Sequence, residues 1–387
     1  MIGQTRQASL PTFRPSWKTP LHAPRGIGRV MPLLVLLFAI FGAADASAGI
    51  TLTDAVGRKV ELDAPARRIL VQTPQIYPAL VVLDPDVASR VVGIAGTAND
   101  GLSDRYEGLS QVPRLGWTNQ QTFSTEAALL LKPDLVIANT TAQGQQAIFE
   151  KVGVPVIYVD VIVDPINNIE STIRILGTAL DRQERSSAFR AFHTQRMNNV
   201  FDRIERANPP PQKIALIARR NDECCMTIFG WGLARYLDRL KVDNIAGARL
   251  GRLGSAQLGV EFLMKADPDV YVTYEYSYGA DTLFGEPKSE DHAVTALGRL
   301  SKSAGLRETS AIRHRRVHAL MDHIIHSPLN FLAVELLAKW IHPELFSDVD
   351  PRRSLDAFNS QFMKAPLKGP FWASLDPASD RSAGERR

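Results

Sequence analysis

The chain of 387 residues contains only two cysteines, and they are neighbours at positions 224 and 225. An adjacent pair lacks the Cys-x2-Cys spacing and the second pair that zinc motifs need, so Cys224 and Cys225 do not indicate a zinc site. The pair can form a disulfide with itself, remain unpaired or contact a ligand. Because cysteine is often simply buried, we expect no role in chemistry for it.

The sequence also lacks the short motifs that mark common catalytic sites. It contains no Gly-x-Ser-x-Gly elbow, no His-Glu-x-x-His motif and no phosphate-binding loop. We therefore expect a binding protein that is not an enzyme. The alternative from another class is an exported metal-dependent hydrolase that uses a histidine-rich stretch with Asp322. Such an enzyme would lose turnover when His323 or His326 is replaced by alanine, whereas a binding protein would show no turnover at all.

Beyond its first 48 residues, the chain has no excess of charge of either sign. The formal net charge of +4 arises from those residues, which hold five basic side chains and one acid. There is consequently no electrostatic case for a nucleic-acid partner.

Residues 1–48 are predicted to be a secretory signal peptide. Arg25 and Arg29 precede an apolar stretch of about twelve residues, which is short for a membrane span of roughly twenty, and Ala46-Ser47-Ala48 forms a small-residue cleavage site. No cysteine lies near the predicted cut. We expect export to the periplasm as a soluble protein that is not lipid-anchored.

The most informative pattern is a segment that occurs twice. Residues 124–138 read STEAALLLKPDLVIA and residues 259–273 read GVEFLMKADPDVYVT. In each copy a glutamate, Glu126 or Glu261, precedes a short apolar helical run, and Pro-Asp and an apolar strand follow. Proline ends the helix because it has no N–H group to continue it, and the β-branched run fits a buried parallel strand. The repeat predicts two lobes of related α/β construction with a ligand cleft between them.

A long helix is predicted between the two copies. The segment 183–206 contains neither glycine nor proline, its apolar residues have helical spacing, and it ends at Asn208 followed by three prolines. The predicted organisation is a signal peptide at 1–48, an N-terminal lobe at 49–181, an interdomain helix at 182–208, a C-terminal lobe at 209–375 and a disordered tail at 376–387.

With these motifs the chain resembles the periplasmic binding proteins that serve metal-chelate ABC importers, which include iron-siderophore, haem and cobalamin binders and a molybdate-binding branch. The resemblance covers about residues 50–350. It rests on DAVGRKVELDAPARRIL (54–70), LLLKPDLVIA (129–138), the long helix, KADPDVYV (265–272) and AVELLAKWIHPELFSDVDP (333–351). Together these motifs are specific, whereas any one of them alone is weak.

The resemblance implies an α/β fold of two lobes, each a mainly parallel central sheet flanked by helices, joined by one long α-helix with the ligand cleft between the lobes. It implies that Glu126 and Glu261 dock onto arginines of the membrane permease. The expected function is capture of an iron-siderophore or related metal chelate for an ABC permease. The alternatives are haem, cobalamin or a molybdate-type oxyanion. We expect a monomer with no cofactor other than its ligand, which is expected to carry chelated Fe³⁺.

The candidate ligand-binding residues follow from the rule that strand ends and the loops after them line such a cleft. Arginine offers paired donors for oxyanions, and tyrosine can stack on a chelator or donate to its oxygens. The candidates are Gln75, Tyr77, Asn99, Tyr106, Trp117 and Asn139 from the first lobe and Arg219, Arg220, Trp231, Tyr274, Tyr276, Tyr278, His326 and Asn330 from the second.

Direct metal coordination by the protein is not expected. Five histidines lie between positions 314 and 342, and of these only His323 and His326 are weak candidates for metal ligands. A single cleft-facing histidine, His326, is the preferred interpretation.

Overall fold

The computed structural model describes residues 49–97, 101–103, 105–117, 122–144, 146–220, 223–228, 232–247, 254–275, 283–284, 290–303, 305–367 and 369–376. The description leaves out the side chains of residues 219, 220, 223, 224 and 228. The predicted signal peptide and nearly all of the predicted tail lie outside the described residues. No helix within them is long and apolar enough to cross a membrane.

The described helices and strands alternate along the chain. The α-helices are α1 (Tyr77–Leu83), α2 (Thr125–Leu130), α3 (Ala147–Lys151), α4 (Pro165–Leu180), α5 (Gln183–Ala207), α6 (Ala234–Leu237), α7 (Val260–Ala266), α8 (Glu290–Ser301), α9 (Ser310–Arg313), α10 (Asp322–Ile325), α11 (Asn330–Ile341) and α12 (Pro351–Phe362). The strands are β1 (Ile50–Thr53), β2 (Lys59–Leu62), β3 (Ile69–Val71), β4 (Val91–Ile94), β5 (Leu135–Asn139), β6 (Val156–Val159), β7 (Gln212–Arg220), β8 (Glu223–Ile228), β9 (Val242–Asn244), β10 (Ser255–Gln257), β11 (Val270–Glu275), β12 (Val317–Met321) and β13 (Trp372–Ser374).

The first lobe is built on a parallel sheet of four described strands in the order β4-β3-β5-β6. Strands β3, β5 and β6 are buried along their whole length, which is why they read as continuous runs of Val, Ile and Leu without polar alternation. A separate antiparallel hairpin, β1–β2, turns at Gly57, whose φ of 82° suits glycine.

The second lobe is built on a larger, mixed sheet. Its described strands follow the order β10-β8-β7-β11-β12-β13, and β9 pairs with β7. The central strands β7, β11 and β12 are parallel, whereas β8 and β13 run antiparallel to their neighbours β7 and β12. In β8, Cys225 is fully buried and disulfide-bonded.

Helix α5 lies between the two sheets in sequence and contacts elements of both lobes. The Arg185 guanidinium donates to the carbonyl of Val82 in α1 and to the carbonyl of Phe362 in α12, at 2.6 and 2.7 Å. Phe189 packs edge-on against Phe362 with ring centroids 5.5 Å apart. These contacts confirm the predicted fold of two α/β lobes joined by one long helix. The residue numbers at which the lobes begin and end stay a prediction.

The two copies of the repeated segment share their backbone conformation as well as their sequence pattern. Six positions after each glutamate, Lys132 and Asp267 adopt left-handed backbone conformations with φ of 48° and 44°. The aspartates that follow each proline then accept backbone N–H groups at the start of a central strand of their own lobe. The Asp134 carboxylate accepts the N–H groups of Arg67 and Arg68 at 2.8 and 2.9 Å.

In the second lobe, Asp269 takes the corresponding position. Its carboxylate accepts the N–H group of Lys213 at 2.9 Å, and its own N–H donates to the Lys213 carbonyl at 2.8 Å. The two copies therefore perform the same structural task, which is to fix the start of a central strand. Glu126 and Glu261 are both exposed and take no part in that task, so the fold leaves them free for an external role.

A buried acid couples α5 to the second lobe. Glu335 in α11 is 4% exposed, and its Oε1 lies 3.7 Å from a guanidinium nitrogen of Arg196 in α5. Burial raises the pKa of Glu335 to about 7, although a hydrogen bond from Ser354 and the charge of Arg196 oppose the shift and Asp350 adds to it. The Glu335 carboxyl group therefore stays protonated in the folded protein at pH values where it is ionised in the unfolded chain.

We expect Glu335→Gln to stabilise the protein above pH 7. A raised carboxyl pKa gives stability that is fully present below the unfolded pKa and is lost as pH rises through the folded value. Glutamine cannot ionise, so the gain at pH 8 should reach roughly 3 kcal/mol and vanish near pH 4.5. Urea unfolding at both pH values measures it, with the exposed Glu344→Gln as control. Equal effects at pH 5 and pH 8 would contradict the expectation.

Candidate ligand-binding site between the lobes

The carboxyl ends of the strands in the two sheets face each other. His326, which follows β12, donates from Nδ1 to the carbonyl of Val161, which follows β6, at 2.9 Å. Gly232 in the second lobe donates its N–H to the Val163 carbonyl at 3.0 Å. Ligands of parallel α/β sheets bind outside the carboxyl ends of the strands. The region between the lobes is therefore the candidate site.

Three aromatic rings form the most direct contact across this region. The edge of Tyr106 packs on Tyr77 with centroids 5.8 Å apart, and the Tyr106 hydroxyl lies 2.7 Å from His323 Nε2. Burial, followed by the nearby charge of Arg105, lowers the pKa of His323 to about 3. The imidazole is thus neutral near pH 7, and the Tyr106 hydroxyl donates to it when Nε2 is the unprotonated nitrogen.

The Tyr77 hydroxyl is buried and has no hydrogen-bond partner among the described residues. Tyr77 is the first residue of α1 and lies just beyond the carboxyl end of β3. Burial raises its pKa to about 12, although the charge of Arg114 opposes the shift, so the hydroxyl keeps its proton. A buried donor without a protein partner needs an explanation, and a role of Tyr77 in ligand binding stays a prediction.

Arg105 reaches from the first lobe into the second. Its guanidinium donates to the carbonyl of Phe284 at 3.0 Å and lies over the ring of Phe371, 5.0 Å from the centroid. The residue is 8% exposed. Such a buried cation needs fixed partners, and its contacts therefore tie the loop before α2 to the second lobe.

His326 has both nitrogens engaged. Beyond its bond to the Val161 carbonyl, Nε2 lies 3.3 Å from Asp322 Oδ1. Burial disfavours the charged imidazolium, but Asp322 and the Val161 carbonyl outweigh burial and raise the pKa of His326. The side chain thus lies at the contact between the lobes, where the sequence placed it, and its ring nitrogens already have partners there.

Asn139 and Asn330 also lie at the contact and are fully buried. Asn139 Oδ1 accepts the N–H of Val161 at 3.0 Å. Asn330 Nδ2 donates to the Pro165 carbonyl at 2.9 Å, and its Oδ1 accepts from His193 Nε2 at 2.7 Å. Both amides therefore anchor the backbone of the 161–165 loop. A direct role of Asn139 or Asn330 in ligand binding stays a prediction.

Trp117 provides an aromatic surface at the carboxyl end of β4. It is half-buried, and the residue before it, Gly116, exchanges backbone hydrogen bonds of 2.8 and 3.2 Å with Gly96. A Cβ atom at Gly96 would lie 3.4 Å from the indole ring, and the φ of 105° at this position also favours glycine. The backbone conformation at position 96 therefore requires glycine, and the indole ring lies within contact distance of it.

In the second lobe, Arg219, Arg220 and Tyr274 lie at the carboxyl ends of β7 and β11. Tyr274 pairs with Ala218, is 3% exposed and therefore belongs to the packed part of the sheet. Arg219 and Arg220 are the last residues of β7, whereas the sequence predicted that they follow directly after this strand. Several other predicted ligand residues lie outside the described residues, namely Asn99, Trp231, Tyr276 and Tyr278.

The two predicted docking glutamates lie at the same carboxyl edges. Ser124, which precedes α2, donates its N–H to Leu115, and Leu115 donates to Ile94 at the end of β4, at 2.9 and 3.1 Å. Leu258, just before α7, donates to the carbonyl of Cys225 at 3.0 Å. Glu126 and Glu261 are therefore exposed at the first turns of helices that begin on the cleft side of their lobes. Their docking role stays a prediction.

Three residues near the carboxyl ends of the strands were not predicted. Arg105 is described above. Asp160 accepts three backbone N–H groups of the 162–164 loop at 2.9–3.2 Å and shapes the segment that touches the second lobe. Glu275, the last residue of β11, is buried and accepts the N–H of Leu283. Glu275 ends a buried strand, and Asp160 directly follows one. An acidic residue at the end of an apolar run is a signal that can be recognised in the sequence.

A family model described as periplasmic binding protein matches residues 75–323. No curated protein matches the chain.

Solved structures with this fold share little sequence with the chain. The TroA-like periplasmic binding protein FepB from Veillonella parvula aligns with a TM-score of 0.76 and 22% identity over 84% of this chain and all of that one. The molybdate-bound periplasmic binding protein MolA of Haemophilus influenzae aligns with 0.65 and 17% over 83% and 99%. A periplasmic heme-binding protein from Pseudomonas aeruginosa aligns with 0.56 and 21% over 80% and 98%.

The family match covers more than half of the chain, and the solved structures share its two-lobe fold. Members of this family are solute-binding proteins rather than enzymes, which removes the support for the hydrolase alternative. The predicted resemblance is confirmed: this chain belongs to the periplasmic binding protein family, which supplies solutes to ABC importers.

Proposed function

We propose that this protein captures an anionic metal chelate, in the first instance a ferric siderophore, and delivers it to the permease of an ABC importer. The iron arrives already chelated, and the protein supplies contacts to the chelator, not bonds to the metal. The mature protein is proposed to be a soluble periplasmic monomer, released from its signal peptide.

The buried Tyr77 hydroxyl carries the proposal. A phenol that keeps its proton and lacks a partner within the described residues can donate to an anionic oxygen of a chelator, as in a hydroxamate, catecholate or carboxylate group. Trp117, half-exposed at the end of the neighbouring strand β4, offers a face for stacking on a flat chelator. Arg219 and Arg220, at the end of β7 in the opposite lobe, add positive charge for an anion.

The likeness to other binding proteins is consistent with this class of ligand. The structures with the same fold have names that refer to FepB, to molybdate and to heme. Molybdate and heme differ widely while the scaffold stays the same, so the choice of ligand must come from cleft residues.

Intrinsic tryptophan fluorescence tests the proposal directly. We expect saturable quenching by at least one ferric siderophore in a panel that also contains haemin, cobalamin and molybdate. Haemin binding would produce an intense visible absorption band, whereas molybdate would produce none. Saturation by haemin, cobalamin or molybdate alone would replace the siderophore assignment, and no binding to any panel member would reject it.

We expect Arg219→Ala plus Arg220→Ala to weaken binding of an anionic chelate. Charge-assisted hydrogen bonds contribute about 1.5–3 kcal/mol each, so the loss should be about tenfold to a hundredfold for each arginine that contacts the ligand. Fluorescence titration measures it, and Arg174→Ala, on helix α4, is a control that removes charge elsewhere. Unchanged affinity for the chelate in the double variant would show that the pair lies outside the binding surface.

A further inference from the structure

The segment between α12 and β13 contacts the first lobe before it enters the second sheet. We call this segment, residues 363–367 and 369–371, the strap. Its Lys364 Nζ donates to Asp86 Oδ1, in the loop between α1 and β4, at 2.7 Å. Beyond the strap, β13 pairs antiparallel with β12 in the second sheet. The Lys364–Asp86 pair is exposed on both sides, and exposed ion pairs contribute little to stability, so the buried contacts of the strap matter more.

The buried contact between the strap and the first lobe is made by Arg105. Its guanidinium lies over the ring of Phe371, 5.0 Å from the centroid, and donates to the Phe284 carbonyl at 3.0 Å. A Cβ atom at Gly369 would lie 2.6 Å from Arg105 Nη1, so the strap leaves room for the guanidinium only because this residue is glycine. A cation that is 8% exposed needs fixed partners. The strap therefore fixes the position of Arg105.

A chain of ring contacts leads from the strap to the candidate site. Phe371 lies 6.3 Å from His323, and His323 lies 5.4 Å from Tyr106, measured between ring centroids. Tyr106 follows Arg105 in sequence and packs edge-on against Tyr77 at 5.8 Å. The buried Tyr77 hydroxyl is the group proposed above to donate to a chelator. The contacts of Arg105 therefore hold the residue that packs against this donor.

We propose that Arg105 is a positioning residue for the ligand cleft. The strap holds its guanidinium, and Arg105 in turn fixes Tyr106 and the separation of the two lobes. Two domains move relative to each other unless a substantial contact restrains them. A cleft that is already held near one width costs less to order when a ligand binds. The proposal rests on the proposed function for what the cleft holds, whereas the lobe separation is a property of the ligand-free protein.

Distances between two spin labels, measured by pulsed electron paramagnetic resonance on the ligand-free protein, test the proposal. Glu61→Cys and Lys302→Cys place one label at an exposed position of each lobe. We expect Arg105→Gln to lengthen the mean distance by roughly 2 Å or more, as in other domain rearrangements, and to broaden the distribution. Arg105→Lys keeps a cation that can donate to the Phe284 carbonyl and should recover part of the shift.

Phe371→Leu and Arg352→Gln complete the test. Phe371→Leu keeps an apolar side chain but removes the ring beneath the guanidinium, so it should give a similar shift, and it decides the outcome if Arg105→Gln does not fold. Arg352→Gln is the matched control, because its guanidinium lies over the Trp372 ring at 5.5 Å and pairs with Glu290, both within the second lobe.

The outcomes separate this proposal from the proposed function. Label distances equal to those of the parent in the folded Arg105→Gln and Phe371→Leu variants would overturn it. An equal shift in Arg352→Gln would overturn it as well, because the effect would not depend on the contact between the lobes. The distances are measured without ligand, so they decide the role of Arg105 even if no chelate of the panel binds and the proposed function fails.

Discussion

The double variant Glu126→Ala plus Glu261→Ala is expected to abolish transport while its affinity for the ligand stays nearly unchanged. Both acids are exposed on the first turns of equivalent helices, and neither takes part in the hydrogen bonds that fix the adjacent strands. Truncating one partner of a charge pair that becomes buried in an interface costs about 2–5 kcal/mol. Losing one such pair in each lobe should therefore reduce permease binding by several orders of magnitude.

Uptake of a radiolabelled ferric siderophore into cells or proteoliposomes measures this effect, and fluorescence titration of the purified variant measures ligand affinity. The matched control is Glu61→Ala plus Glu184→Ala, which removes two exposed acids outside the repeats and changes the net charge equally. A large loss of ligand affinity in the Glu126 and Glu261 variant would refute the docking assignment, because the acids would then contribute to the cleft. Normal transport would refute it as well.

The repeat could be predicted because its signals are local. Proline and aspartate at fixed distances from a glutamate specify a helix end and a strand start, and these are short-range effects. The structure adds left-handed conformations at Lys132 and Asp267, the backbone conformation in which helices commonly end. The central strands followed equally directly from their unbroken apolar runs.

The edges of the second sheet were not predicted from the sequence. Strands β10 and β13 have three residues each, which is too short for an alternating pattern to be recognised. Helix α12 was not predicted either, although Asp350 caps it and Pro351 is its first residue, a combination that signals a helix start. Its buried face, which includes Phe358 and Phe362, also had the required spacing.

The contacts between the lobes could not be predicted from local patterns. Tyr106 and His323 are 217 residues apart in sequence, and Arg105 and Phe284 are 179 apart. No spacing rule relates such positions, since they meet only after both lobes have folded and packed. His326 was expected to face a ligand, and local patterns could not show that its nitrogens also contact Val161 and Asp322; its contact with a ligand stays a prediction.

The second large expected effect concerns His323, which contacts Tyr106. We expect the folded protein to lose stability at acid pH because of the His323 imidazole. Burial lowers the pKa of His323 to about 3, so the folded state resists a proton that the unfolded chain accepts near its ordinary pKa of 6.5. Its contribution to stability is thus fully present above pH 6.5 and is lost as pH falls toward 3. A shift of this size corresponds to roughly 5 kcal/mol.

Replacing both His323 and Tyr106 removes this dependence of stability on pH, and it leaves no buried tyrosine hydroxyl without a hydrogen-bond partner. We expect His323→Leu plus Tyr106→Phe to lose less stability than the parent between pH 6.5 and pH 4, as measured by urea unfolding at each pH. His323→Leu alone should be less stable than the double variant at pH 7, because the Tyr106 hydroxyl is then buried without its partner. His318, which burial also makes resistant to protonation, is retained in all variants and so cancels from the comparison. An acid slope in the double variant equal to that of the parent would mean that the His323 imidazole is hydrated in solution, and the lobes would then not be held together by this contact.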